Sequence, residues 1–352
     1  MTTAKLWRAA ALGIALAAGF SGAATAQDIG KHQFNVVGTW GFLTNWQKLE
    51  QPFWNEVLKN ESKGQITASA KAQTEVNLKG TEILRLLKQG VFDFAAALPI
   101  YVDEGGAVIE AVDIAGVSRS FEMSKAIADT WVPEMQKVME QRHGAMILAT
   151  FPFPEQVFFC KGEIKGVEDL KGKKVRVQGT SQGDFVTAVG GSPVTIPFAE
   201  VLPGLQKGVV DCGITGSMPG YKAKWHEVVD TVFRLPVGYT LGFWAVNLKT
   251  WQKLTPAEQT FLKTQFKALE DRSWKMIAAE SDEGIACNTG GTCSAGPAAK
   301  AKLVNPSEAD IKAREKALNA VVLANWAKRC TPDCVAKWNE LVGKKFGLKA
   351  GN

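Results

Sequence analysis

The sequence predicts an α/β protein of two lobes, on three observations. Apolar, strand-like runs alternate with segments of helical spacing along the chain, the pattern of α/β folds. The chain has 352 residues, longer than the about 250 to 300 residues at which one hydrophobic core stops growing. Finally, Pro256 to Glu283 reads as a single helix of nearly thirty residues. That is too long for one lobe, so it is expected to run along both.

The N-terminus reads as an export leader. Lys5 and Arg8 form a positive region, Ala9 to Phe20 a short apolar one, and Ala24-Thr25-Ala26 an A-x-A cleavage site. Residues 1–26 are expected to be a signal peptide cleaved after Ala26, placing the mature chain in the periplasm. The apolar run is shorter than the about 20 residues of a membrane span, and no later stretch is long and apolar enough. The leader holds two of the 41 basic residues, leaving 39 against 35 acidic ones. This mild positive balance fits capture of anions, and no window clusters Lys and Arg enough for nucleic acid.

Six cysteines, an even count, fit disulfides in an oxidising compartment. Cys287 and Cys293 bracket a Gly-rich loop, and Cys330-Thr-Pro-Asp-Cys334 is a tight turn. Local pairing of each leaves Cys160 with Cys212, the ranked choice among about 15 connectivities. A zinc site is the rival, disfavoured because the spacings are not C-x2-C and no His lies near the C-terminal cysteines.

In order, strands are predicted at Phe34 to Gly38, Ile66 to Ala70, Phe92 to Leu98, Ala145 to Phe151, Gln156 to Cys160, Lys174 to Gln178, Val209 to Thr215, Thr231 to Leu235 and Leu241 to Asn247. Helices are predicted at about Asn45 to Lys59, where Trp46, Leu49, Phe53, Trp54 and Val57 share a face. Others fall at Thr81 to Gln89, closed by Gly90, and at Phe121 to Gln141, Gln182 to Val189 and Phe198 to Lys207. Two C-terminal helices finish the chain.

Catalytic and metal constellations are sparse. His32, His143 and His226 lie far apart in sequence without H-E-x-x-H or H-x-H grouping, so no metal and no cofactor is expected. Gly179-Thr-Ser181-Gln-Gly183 matches the G-x-S-x-G nucleophile elbow between a strand and a helix. His226 and Asp211 would complete a triad of formally allowed order, which makes a secreted serine hydrolase the rival from another class. Such a short pattern arises readily by chance in a Gly-rich chain, and the expectation is that the protein is not an enzyme.

Arg176, within Lys174-Val-Arg-Val-Gln178, is more informative. A guanidinium in an apolar strand is costly unless paired, and its fork matches a carboxylate in bidentate geometry. The residues alone leave two readings open, an anion receptor or an internal ion pair.

The segment Asp169 to Val177 is followed by Gly190-Gly-Ser-Pro-Val, Pro197-Phe-Ala-Glu-Val and Leu205-Gln-Lys-Gly-Val-Val-Asp211. With Leu87-Lys-Gln-Gly-Val-Phe-Asp93 and Leu241 to Asn247, this series resembles the substrate-binding proteins of tripartite ATP-independent periplasmic (TRAP) transporters. The resemblance covers nearly the whole mature chain. It implies a two-lobe periplasmic binding protein fold with crossover strands and a lobe-spanning helix. The lobes are expected at residues 27–154 with 247–282, and at 155–246 with 283–352.

The resemblance also implies that Arg176 binds a ligand carboxylate and that Phe198 lines the cleft. In the family the strand after Asp211 ends in a ligand-facing polar residue, often Asn, where this chain has Thr215. Many members carry a second Arg before the Gln of the inter-lobe strand, where Glu155 precedes Gln156 here, leaving a second clamp in doubt. Gln156, Thr215 and Tyr101 are the expected hydrogen-bond donors, and Trp40, Phe153, Phe198 and Trp244 the expected walls. One Arg among aromatics suits an aromatic monocarboxylate, with a C4-dicarboxylate or sugar acid as the alternative. The expected partners are this acid and the membrane subunits of a TRAP transporter, the protein itself being a monomer.

Overall fold

The computed structural model describes residues 29–102 and 106–351; the leader and its cleavage site lie outside them. Nine strands form one sheet: β1 His32–Gly38, β2 Ile66–Ala72, β3 Phe94–Ala97, β4 Ala145–Cys160, β5 Lys174–Val177, β6 Ser192–Thr195, β7 Cys212–Gly216, β8 Thr231–Asn247 and β9 Lys302–Val304. Their spatial order is β2-β1-β3-β8-β4-β7-β5-β6, with β9 against β8.

Two strands tie the sheet together, and here the structure corrects the sequence. Ala145 to Phe151 and Gln156 to Cys160 were expected as separate strands, as were Thr231 to Leu235 and Leu241 to Asn247. Instead β4 runs unbroken for 16 residues and β8 for 17. They pair antiparallel from Ala145 opposite Asn247 to Cys160 opposite Thr231. Pro152, Pro154, Pro236 and Gly238 read as breaks, but a proline costs little at a bulge, where no ladder N–H is required. The pairing duly shifts register between Pro152 and Glu155 and again between Gln156 and Phe158. At one end β8 takes β3, through Phe243 to Val246 on its own side. At the other end β4 takes β7, at Gln156 to Cys160. The β2-β1-β3 half and the β7-β5-β6 half therefore hang on the same two strands.

A helix braces both halves. It spans Pro256–Thr289, 34 residues, six beyond the expected end. Thr255 and Glu258 form a capping box at its start, Pro256 occupies the first turn, and Gly290 closes it in the left-handed region. Near its beginning, Phe266 packs against Phe53, Trp54 and Phe94 of the first half. Near its end, Gly284 lies against the helix Ser217–Lys222, which follows β7. A Cβ at Gly284 would stand 2.3 Å from the Met218 nitrogen, so only glycine permits this crossing.

The sequence missed β6, β9 and the helix Ser217–Lys222, which are short and lack a clear period. Three disulfides are present, Cys160–Cys212, Cys287–Cys293 and Cys330–Cys334. The first joins facing residues of β4 and β7. Cys287 lies in the last turns of the long helix rather than in the loop the glycines marked.

Candidate functional site

β5 lies between β7 and β6. Its alternation sends Val175 and Val177 into one apolar cluster and Arg176 to the opposite face. Arg176 is completely buried. Its Nε donates to the Ile196 carbonyl at 3.0 Å and its Nη1 to the Ile214 carbonyl at 2.9 Å. The guanidinium lies 5.7 Å from the ring centres of both Phe198 and Trp225, within cation–π range. Among the described ion pairs none involves Arg176, and Nη2 is buried with no hydrogen-bond partner. Burial works to lower the pKa of this guanidinium, against the opposing pull of Tyr101. Burial dominates and raises the pKa of the Tyr101 hydroxyl, against the lowering by the Arg176 charge and by a hydrogen bond with the guanidinium; this phenol is a polar neighbour of the cation, and it brings no negative charge to pair with it. The internal-ion-pair reading of Arg176 therefore has no carboxylate to support it.

Beside Arg176 is a cavity of about 20 Å³, room for roughly one water. Trp40, Tyr101, Phe153, Gln156, Phe198 and Thr215, all expected at the site, line it together. Trp40 meets Tyr101 and Phe198 edge-on, at 6.3 and 5.3 Å between ring centres. Two residues expected at the site are not on this wall. Arg176 meets it through Phe198, a lining residue 5.7 Å from its guanidinium. Trp244 stands 4.5 Å from Phe151 and 6.4 Å from Phe266, inside the core. It lies on the part of β8 expected as a strand, on the side packed against Phe151 and the long helix.

Sequence reasoning missed Leu43, Leu98, Gln178, Pro219 and Thr240 on the same wall. Gln178 was findable: it lies two residues beyond Arg176, and strand alternation aims such pairs alike. Its Nε2 donates to Gln156 Oε1 at 2.8 Å, while Gln156 Nε2 donates to the Pro154 carbonyl. The amide pair is thus preset across β4 and β5. Thr240 falls in the stretch that read as a loop.

Glu155 does not line the cavity. It accepts from Arg234 Nε at 2.8 Å, and Arg234 Nη2 also reaches Asp282 of the long helix at 2.6 Å. Its backbone N–H donates to Ser281 Oγ. One guanidinium therefore links β4, β8 and the long helix where all three cross.

The nucleophile-elbow reading fails on geometry. Ser181 is completely buried at the start of the helix Thr180–Ala188. Its Oγ accepts from the Ala115 N–H, and its own N–H donates to Glu110. His226 is stacked on Tyr221, 4.8 Å between ring centres, and makes no described bond to Ser181.

Two half-sheets joined by the crossover strands β4 and β8 thus flank a small cavity. The chain belongs to the DctP family, bacterial extracellular solute-binding protein family 7, whose model matches residues 43–328. This bears out the resemblance to TRAP solute-binding proteins, and with it the expectation of a non-enzymatic, extracytoplasmic protein. Among solved structures the chain resembles a Bordetella pertussis extracytoplasmic solute receptor binding pyroglutamic acid, with TM-score 0.78 and 18% identity over 88% of this chain and 99% of that one. It also resembles a TRAP periplasmic solute-binding protein from Sulfitobacter sp. NAS-14.1 with bound β-D-galacturonate, with TM-score 0.77 and 18% identity over 89% and 100%. Among curated proteins it is 25% identical over 174 residues to the ectoine-binding periplasmic protein TeaA of Halomonas elongata, 49% of this chain and 50% of that one. An uncharacterized Salmonella typhimurium protein, YiiZ, is 30% identical over 127 residues, 33% and 37% of the two chains. The chain thus matches about half or less of the length of these curated relatives.

Proposed function

We propose that this protein captures a small organic carboxylate at Arg176 in the periplasm and delivers it, as a monomer, to the membrane subunits of a TRAP transporter. The carrying observation is a fully buried guanidinium with an unpartnered Nη2 and, among the described residues, no carboxylate paired with it. A buried cation of this kind is stable only if paired, and a carboxylate supplied from outside completes it.

Gln156, Gln178 and Thr215 would fix the ligand's orientation, and Trp40, Tyr101, Phe153 and Phe198 would enclose it. The cavity of about 20 Å³ is too small for an organic acid, so entry requires the halves to part. The hinge is β4, β8 and the long helix, in the manner of periplasmic binding proteins. The moving bodies are residues 27–154 with 247–282 and residues 155–246 with 283–352, once the leader is removed after Ala26.

The aromatic wall and the commitment of Glu155 to Arg234 favour an aromatic monocarboxylate. The Gln156–Gln178 amide pair favours the second reading, a polar acid such as a sugar acid, and the galacturonate of one similar structure is in keeping with it. A thermal-shift screen of organic acids separates the two, since a ligand binding only the native state raises apparent stability. Aromatic monocarboxylates are expected to raise Tm more than C4-dicarboxylates or hexuronates; a wide margin for either of the latter overturns the aromatic assignment.

A further inference from the structure

The segment 39–44 between β1 and the next helical turns carries Trp40 and Leu43 into the cavity wall, and both of its ends are held by buried carboxyl groups. At the near end, Glu50 is completely buried. Its Oε2 accepts from the Thr39 N–H at 2.8 Å, and its Oε1 is bonded to the Thr39 hydroxyl at 2.7 Å, as acceptor when ionised and as donor when protonated. At the far end, the Thr44 hydroxyl donates to Glu280 Oε2 at 2.9 Å. Glu280 belongs to the long helix, and its backbone carbonyl accepts from Ser217 Oγ at the start of the helix after β7. It therefore stands at the seam where the two halves and the brace meet.

We propose that Glu50 and Glu280 are positioning residues for the ligand site, holding the Trp40–Leu43 wall closed in their protonated state and releasing it when they ionise. This inference rests on the reading of the cavity as the ligand site.

The groups facing each carboxyl give the direction. Glu50 has Thr39 and the Trp244 indole against it and no described charged neighbour acting on it; burial raises its pKa to about 7, against the lowering by Thr39. Burial also raises Glu280 to about 7, against lowering by Thr44, by Lys48 from the first half and by Lys222 from the second, while Glu283 on its own helix raises it. Opening the segment hydrates both groups and returns them toward an ordinary carboxylate pKa. The packed state therefore binds protons more tightly than the opened one, and the packed arrangement weakens as pH rises through 7.

Hydrogen exchange of the full mature chain, read by mass spectrometry on peptides spanning 38–46 and corrected for intrinsic rates, tests this without any ligand. In the wild type the opening equilibrium of this segment is expected to grow about tenfold per carboxyl between pH 6 and pH 8. Glu50→Gln and Glu280→Gln should each remove their share of that rise. Thr44→Val, which deletes only the donor to Glu280, should move the midpoint of its share upward, and serves should a Gln variant fail to fold. A flat wild-type profile, Gln variants that keep the wild-type rise, or an unmoved midpoint in Thr44→Val overturns the proposal. The exchange is read without ligand and ligand affinity by calorimetry on wild type, so a failure of the ligand assignment would leave this result standing, and the reverse.

Discussion

Arg176 and Arg314 are both buried guanidiniums, the first fully and the second 2% exposed, yet their surroundings differ in kind. Arg314, in the helix Glu308–Ala317, donates Nε to the Pro236 carbonyl and Nη2 to the Gly116 carbonyl. Its Nη1 pairs with Glu315. Its charge is matched and each of its nitrogens is used. It staples the helix to the bend of β8 and to the segment before the helix Phe121–His143. Arg176 also holds two carbonyls, but its charge is unmatched and Nη2 has no acceptor. A guanidinium completed from within the chain serves the fold. One left incomplete beside a cavity is what the proposed capture of a carboxylate calls for.

Replacing each Arg should therefore break different things. The largest effect is expected on ligand affinity in Arg176→Ala, a loss of about 2 to 5 kcal/mol, because truncation leaves the ligand carboxylate buried and unpaired. Arg176→Lys should lose much of it as well, since an ammonium cannot reproduce the fork. Titration calorimetry with the best-stabilising acid from the screen measures both; affinity retained in Arg176→Ala removes the assignment.

The next effect is on the fold. Arg314→Ala strands two carbonyls and removes one of the two partners of Glu315, which keeps Arg119, so urea unfolding should show a loss of about 2 to 4 kcal/mol, with ligand affinity of the folded fraction unchanged. An unaltered midpoint would mean that Arg314 contributes no brace.

The smallest effect sharpens the contrast between matched and unmatched buried charge by pH. Burial works to raise Glu258, but bonds from His32, Thr255 and Gly30 win and hold it at about 2. Its contribution to stability is complete above the ordinary carboxylate range and is lost as pH falls toward 2. Glu50 and Glu280, raised to about 7, contribute fully below the ordinary carboxylate range, and their contribution is lost as pH rises through 7. Thermal unfolding across pH should show Glu258→Gln flattening only the acid limb and Glu280→Gln only the neutral one. A common effect on both limbs would contradict the assignment.

Much of this was legible in the sequence for physical reasons. Alternating elements and the long helix follow from periodicity, which burial enforces wherever one face is apolar. Arg176 stood out because a guanidinium in an apolar strand is rare. Its unpartnered Nη2 was not legible, since that depends on what β6, β7 and Phe198 bring around it. The continuity of β4 and β8 was hidden by Pro152, Pro154 and Pro236, which interrupt a ladder on paper and sit at or beside its register shifts in space. Trp244 sits on the strand expected for it, but which neighbours its face meets was not legible. The roles of Glu50 and Glu280 were invisible for another reason: a carboxylate in a helical segment reads as solvated, and only the approach of Thr39 and Thr44 shows otherwise. Ser181 erred the opposite way, a motif without the neighbours that would give it chemistry.

The central claim is that Arg176 carries a charge with no ionic partner among the described residues, and urea unfolding of ligand-free Arg176→Ala beside wild type tests it most directly. Removal strands the Ile196 and Ile214 carbonyls but also relieves an uncompensated buried charge, and these two effects oppose each other. The variant is expected to lie within about 1 kcal/mol of wild type or above it. A fall as large as that of Arg314→Ala would show that the fold itself depends on Arg176, and would contradict the account.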